Sequence, residues 1–180
     1  MTRLKQWETL GTVTMAETPV FAVDVVERRS PAGLEGKFFV ARMPDWVNVV
    51  AITPSDQLVL IRQYRQGTDS ITLEIPGGVV DEGESYVEAA VRELREETGY
   101  EADAWHELGV VEPNPALQSN RCATLLALGA RPTADTDFDD EEDIEVVLER
   151  VDRVAQRVAQ GEITHALVVA ALYHYERWSG

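Results

Sequence analysis

Glu93, Glu96 and Glu97 are the residues of this chain whose type and spacing could do chemistry. An α-helix turns about 100° per residue, so Glu93 and Glu97 lie about 40° apart and Glu96 borders the same face. Carboxylates crowded on one patch repel unless a cation neutralises them. Hard oxygen ligands suit Mg2+ or Mn2+, which bind phosphate oxygens, draw charge from a diphosphate and activate water. The competing reading is a solvated helix face laced with ion pairs, in which Arg92 would meet Glu88 and Glu96. Arg95 meets only Val91 and Gly99 at that spacing.

The patch needs a helix and a turn to hold it. Pro76-Gly77-Gly78 stops any helix and lets backbone approach a ligand closely. A helix is expected from about Glu84 to Thr98, closed by Gly99 as a left-handed cap. Upstream, Thr18 to Arg29 and Lys37 to Arg42 flank the turn signal Ser30-Pro31-Ala32-Gly33 and read as a hairpin. Trp46 to Thr53 and Leu58 to Tyr64 form a second, around Pro54-Ser55-Asp56-Gln57. Ile71 to Ile75 is a strand leading into the glycine turn. Downstream, short strands are expected at Trp105 to Glu112, Cys122 to Leu128 and Ile144 to Leu148. Asp152 is expected to cap a helix stopping at Gly161, and Thr164 a last one running to about Arg177.

Strands and helices interleave without a regular βαβ period, which favours an α/β architecture with a mixed sheet between helices over a doubly wound sheet. One catalytic domain fits the 180 residues. Residues 1–45 are set apart as a β-rich segment and 46–180 as the main domain. No signal segment or bilayer-length apolar run is visible, so a soluble, cytoplasmic protein is expected. Cys122 is the only cysteine, which excludes an intrachain disulfide and a multi-cysteine metal site. His106, His165 and His174 have no metal-ligand spacing and are expected to be structural or at the surface.

The net charge is −16, and half of the 32 acids fall in two windows, 81–101 and 135–145, with eight each. That sign argues against nucleic acid or anionic membranes as partners. The second window, Asp139-Asp140-Glu141-Glu142-Asp143 before Ile144, offers carboxylates for general-base work or is a solvated loop. Phosphate needs positive charge, for which Arg62 and Arg65 are available, Arg65 being preferred; both could instead pair with surplus acid. Trp46 or Trp7 could stack on a base or serve in packing.

Gly78, five residues, Glu84, seven residues, then Arg92-Glu93-Leu94-Arg95-Glu96-Glu97-Thr98-Gly99-Tyr100 resembles the Nudix box, with Tyr100 where an aliphatic is usual. The resemblance to that hydrolase family spans roughly Trp46 to Arg177. It implies a Nudix-type α/β/α sandwich and a Mg2+ or Mn2+ site built from Glu93, Glu97 and the Gly77 carbonyl, with Glu96 in the same cluster. It implies that Arg92 orients the carboxylates. Resemblance to ADP-ribose pyrophosphatases implies a catalytic glutamate just before the Ile144 strand, Glu142 first and Glu141 second, and a homodimer built through the N-terminal segment. Pro115, fifteen residues past the box, resembles the proline that marks hydrolases of ADP-ribose and related nucleoside diphosphate-sugars. The expected reaction is metal-dependent hydrolysis of such a diphosphate to two monophosphates. Alternatives are another nucleotide, a nucleoside triphosphate or GDP-mannose, or a non-catalytic nucleotide-binding protein of the same fold. No loop has the spacing of an EF-hand, which leaves a Ca2+-binding domain the weakest reading.

Overall fold

A computed structural model describes residues 4–136 and 143–179. The chain divides into two compact units, one holding residues up to Pro44 together with Glu112–Arg121, the other holding Asp45–Val111 and the residues from Cys122 onward.

In the first unit β1 (Glu8–Glu17), β2 (Ala22–Arg29) and β3 (Glu35–Arg42) form an antiparallel sheet in that order. The expected hairpin is its β2–β3 half. The strand β1 is an addition: almost all of its residues are exposed, so no apolar alternation announces it. Asp24 is buried and takes hydrogen bonds from Thr14 and Arg42, tying the three strands together.

The second unit is built on β4 (Trp46–Ile52), β5 (Gln57–Arg65), β6 (Ser70–Glu74), β8 (Ala104–Val111), β9 (Cys122–Leu128) and β11 (Ile144–Arg150). The order is β11-β5-β4-β9-β8, with β6 also on β5. The β4–β9 pair is parallel and the others antiparallel, so the sheet is mixed. Two short strands, β7 (Tyr100–Glu101) and β10 (Arg131–Pro132), pair beside it.

Helix α1 (Tyr86–Thr98) covers one face, and α2 (Val151–Ala159) and α3 (Ala166–Arg177) the other. Side chains alternate across a strand, so β4 sends Val47, Val49 and Ala51 to the α1 core and Val50 and Ile52 to the α2–α3 core. Trp46 and Asn48 share the parity of the α2–α3 side. This three-layer arrangement is the expected mixed α/β sandwich. No described helix is long and apolar enough to cross a membrane.

The ends of α1 follow from local sequence. Ser85 and Glu88 form a capping box, each side chain meeting the other's backbone N–H, and Gly99 closes the helix at φ 70°. The other two starts differ from expectation. Arg150 and His165 occupy the N-cap positions of α2 and α3, neither capping with its side chain. Asp152 instead receives two hydrogen bonds from Arg150, a bidentate pair that uses up its carboxylate.

Candidate active site

The turn Pro76-Gly77-Gly78 leaves β6 and runs beside β4, where Val49 N–H donates to the Pro76 carbonyl and Val47 N–H to that of Gly78. The approach is too close for side chains. A Cβ on Gly77 would strike the Val47 carbonyl oxygen, and one on Gly78 would strike the Glu93 carboxylate. Glycine is required because backbone and carboxylate occupy the space.

Helix α1 brings its acids to this turn. Glu97, 4% exposed, accepts the Gly77 N–H at 2.8 Å. Glu93 lies against Gly78 and receives a hydrogen bond from Arg92 at 2.8 Å. Arg92 also donates to Glu96, to both oxygens of Glu84 and to the Val79 carbonyl. Its guanidinium is thus the hub of the box, and hydrogen bonding to Glu84, then to Glu93 and Glu96, raises its pKa. The same guanidinium holds the Glu84 carboxyl below the usual carboxylate range. Of the two pairings expected for Arg92, that with Glu96 forms, whereas Glu88 turns to Ser85. Arg95 finds Glu101 beyond the helix end, at 3.7 Å.

Among the described residues no group of three or more His, Cys, Asp or Glu side chains is gathered as a metal cage. Glu97 accepts the Gly77 amide N–H, while Glu93 and Glu96 both accept from one nitrogen of Arg92. The donors around the turn are all hard oxygens, and the glycines leave room for backbone and carboxylate together. That donor set fits a divalent cation such as Mg2+.

A cavity of about 490 Å³ opens beside the turn. Trp46, Asn48, Arg65, Glu74 and His165 line it, along with Gly77 and Gly78. Arg65 makes a two-point salt bridge with Glu74, at 3.0 and 2.8 Å, and Thr72 donates to the same carboxylate. Burial pushes the Glu74 carboxyl up, but the hydrogen bonds from Arg65 and Thr72 and the Arg65 charge outweigh it and leave it below the usual range. Arg62 is not among the lining residues. Its guanidinium bonds to Glu145, its register partner on β11. Trp7 packs edge-on against Phe38 within the first unit, with ring centroids 5.5 Å apart. Glu141 and Glu142 lie outside the described residues.

Sequence reasoning missed Glu74, Asn48 and His165 as cavity residues. Glu74 carried a signal, since an acid inside the apolar run Ile71-Thr72-Leu73-Glu74-Ile75 needs a buried partner. Asn48 interrupts an equally apolar strand.

A glycine turn, a capped carboxylate helix and an adjoining cavity in a three-layer sandwich define a phosphate-directed hydrolase site. The NUDIX domain model matches residues 43–171, and the chain belongs to that family. It is 29% identical to the ADP compounds hydrolase NudE of Escherichia coli over 94% of this chain and 91% of that one. It is 28% identical to the ADP-ribose pyrophosphatase of Mycobacterium tuberculosis over 92% of this chain and 81% of the relative. A third relative, 27% identical over 98% and 96% of the two chains, is the methanol dehydrogenase activator of Bacillus methanolicus. A crystal structure of an ADP compounds hydrolase superposes with a TM-score of 0.88 at 28% identity, covering 99% of this chain and 96% of the other.

Proposed function

We propose that this Nudix pyrophosphohydrolase cleaves the diphosphate linkage of ADP-ribose or a related nucleoside diphosphate-sugar, giving two monophosphates. The observation that carries the reading is the cavity opening on the Gly77-Gly78 turn, next to the carboxylates of α1. It lies within the size range of small-molecule sites, roughly 300–1,000 Å³. Near-full-length relatives that act on ADP compounds and ADP-ribose support the substrate class.

Glu93, Glu96, Glu97 and the Gly77 carbonyl are the residues that would hold Mg2+ or Mn2+, which when bound supplies charge neutralisation at the diphosphate and an acidified water. Arg92 keeps Glu93 and Glu96 in register, and the Gly77 N–H fixes the Glu97 carboxylate. Arg65 brings a fixed positive charge to the cavity, already oriented by Glu74. Glu142, or Glu141 after it, is the candidate general base, from the acidic stretch that precedes β11 in the sequence. Trp46 offers an apolar face to the substrate, whereas Arg62, bonded to Glu145 and outside the cavity lining, is given no part in it.

The exposed Val13, Met15, Phe38 and Phe39 on the first unit's sheet support a homodimer formed through residues 1–45, with the hydrolase domain occupying 46–180. A cytoplasmic setting agrees with the single, buried, unpaired cysteine. Product analysis of the purified protein with Mg2+ across a nucleotide panel tests the assignment. AMP and ribose 5-phosphate from ADP-ribose are expected, while phosphate or pyrophosphate from triphosphates with ADP-ribose inert would overturn it.

A further inference from the structure

The two helices that share one face of the larger sheet leave a gap between them. Helix α2 lies over β11 and β5, and α3 over β4, β9 and β8, so the seam between β5 and β4, paired at Leu58 and Ile52, is the floor of a cleft. Its cavity measures about 420 Å³, within the roughly 300–1,000 Å³ of small-molecule sites, and it shares no lining residue with the cavity beside the glycine turn. Each wall is one helical stripe. On α2 the stripe is Val151, Val154, Ala155 and Val158; on α3 it is Val169, Leu172, Tyr173 and Glu176. Both follow the i, i+3, i+4, i+7 spacing that puts side chains on one face. The stripes do not close on each other, and Val169 and Tyr173 stay 37% and 61% exposed. A hydrocarbon body of fitting size would leave water by entering between them.

The α3 stripe departs from the apolar pattern at its end, and that departure selects the ligand. Among the described residues of the lining the charged ones are Asp152 and Glu176, both acids. Asp152 is held by Arg150, whereas Glu176 is exposed and makes no ion pair among the described residues. Tyr173 and Tyr175 line the same cleft, and tyrosine rings attract cations through their faces. Burial, and then the charge of Asp56, pushes the Tyr175 hydroxyl up, so it stays an uncharged hydrogen-bonding group. No Lys, Arg or His among the described lining residues is there to receive an anion.

We propose that the cleft between α2 and α3 binds an amphipathic ammonium, its hydrocarbon or aryl body seated between the valine stripes and its cationic head at Glu176 and the tyrosines. The site is separate from the hydrolase reading and stands whether or not ADP-ribose is the substrate. A neutral apolar molecule forgoes the carboxylate contact, and an aryl or fatty acid meets like charge there.

Calorimetry on the purified protein tests this with three probes of similar size, 4-phenylbutylamine, 4-phenylbutanol and 4-phenylbutyrate. The amine should bind on the order of tenfold more tightly than the alcohol, and the acid more weakly still. Glu176→Gln, a change at an exposed position, should bring the amine down to the level of the alcohol. Ala155→Phe, also at an exposed position, should fill the cleft from α2 and abolish binding of both. Thermal melts show that each variant folds. Because the chain carries a net charge of −16, diffuse attraction of any cation is the competing explanation, and it would survive both substitutions. Equal affinity for the three probes, tighter binding of the acid, undiminished amine binding in either variant, or no binding of the amine at about 1 mM would overturn the proposal.

Discussion

Glu97 accepts the backbone N–H of Gly77 at 2.8 Å, joining the last turn of α1 to a glycine twenty residues earlier. In the proposed metal site this one carboxylate would have two duties, holding the turn and presenting oxygen to a cation. Gln at this position keeps a carbonyl oxygen for the Gly77 amide but loses the charge. Glu97→Gln should therefore lower kcat on the order of 10²-fold or more and leave the melting temperature within a few degrees. Steady-state kinetics with Mg2+ and a thermal melt check both; undiminished turnover would remove Glu97 from the metal site.

The two neighbouring glycines should respond differently to alanine. At Gly78 the new methyl meets the end of the Glu93 side chain, which can swing away, so activity falls more than stability. At Gly77 it meets the Val47 carbonyl, which belongs to the sheet and cannot move cheaply. Gly77→Ala should destabilise by about 1–3 kcal/mol, read from denaturant unfolding, while Gly78→Ala stays nearer wild type. The reverse ranking would contradict the packing described.

Arg92 serves three carboxylates and a carbonyl with one planar fork. Lysine keeps the charge and cannot reproduce that geometry. Arg92→Lys should reduce metal affinity and activity about 10–100-fold, as loss of an orienting partner does. A Mg2+ titration of the rate separates this from a loss of substrate binding, since the required Mg2+ concentration should rise.

The Arg65–Glu74 pair makes stability depend on acid. The folded-state pKa of Glu74 lies below its unfolded value, so its contribution is present above the unfolded pKa and is lost as pH falls through the folded one. Glu74→Gln should be less stable than wild type by about 1.5–3 kcal/mol at pH 7, the range for a hydrogen bond to a charged group. The gap should narrow below the ordinary carboxylate range. Urea unfolding at pH 7 and near pH 3 gives both differences, and a gap that widens in acid would reverse the sign argued here.

Cys122 is 1% exposed, and burial, with Asp45 nearby, pushes its thiol up to about 12. Thiolate is the reactive form, so the native protein at pH 8 should resist a thiol reagent that labels it promptly in denaturant. Fast native labelling would show that the cavity wall opens.

The legible parts of the molecule were those whose partners are close in sequence. Ser85, Glu88 and Gly99 bracket α1 with local caps, so its limits and the face carrying Glu93 and Glu97 could be read directly. Glu74 and Arg65 are nine residues apart across a hairpin, and Arg62 and Glu145 eighty-three apart across two strands; only strand pairing reveals such partners. The sequence favours Arg65 over Arg62 for phosphate but does not show the partner of either; the fold gives Arg62 to Glu145 and sets Arg65 in the cavity lining. The starts of α2 and α3 escaped because Asp152 and Thr164 have capping chemistry without capping geometry.

The parallel pairing of β4 with β9, Trp46 beside Cys122 and Ile52 beside Leu128, sets an order of assembly. The capped α1 and the β5–β6 hairpin close over short distances along the chain, whereas β4 and β9 must meet across everything between them, a slow event. Cavity residues Trp46 and Asn48 belong to one of those strands and Cys122 to the other. The carboxylate helix can thus form early, but the pocket beside it is completed only when the sheet closes, so activity should be the last signal to return during refolding.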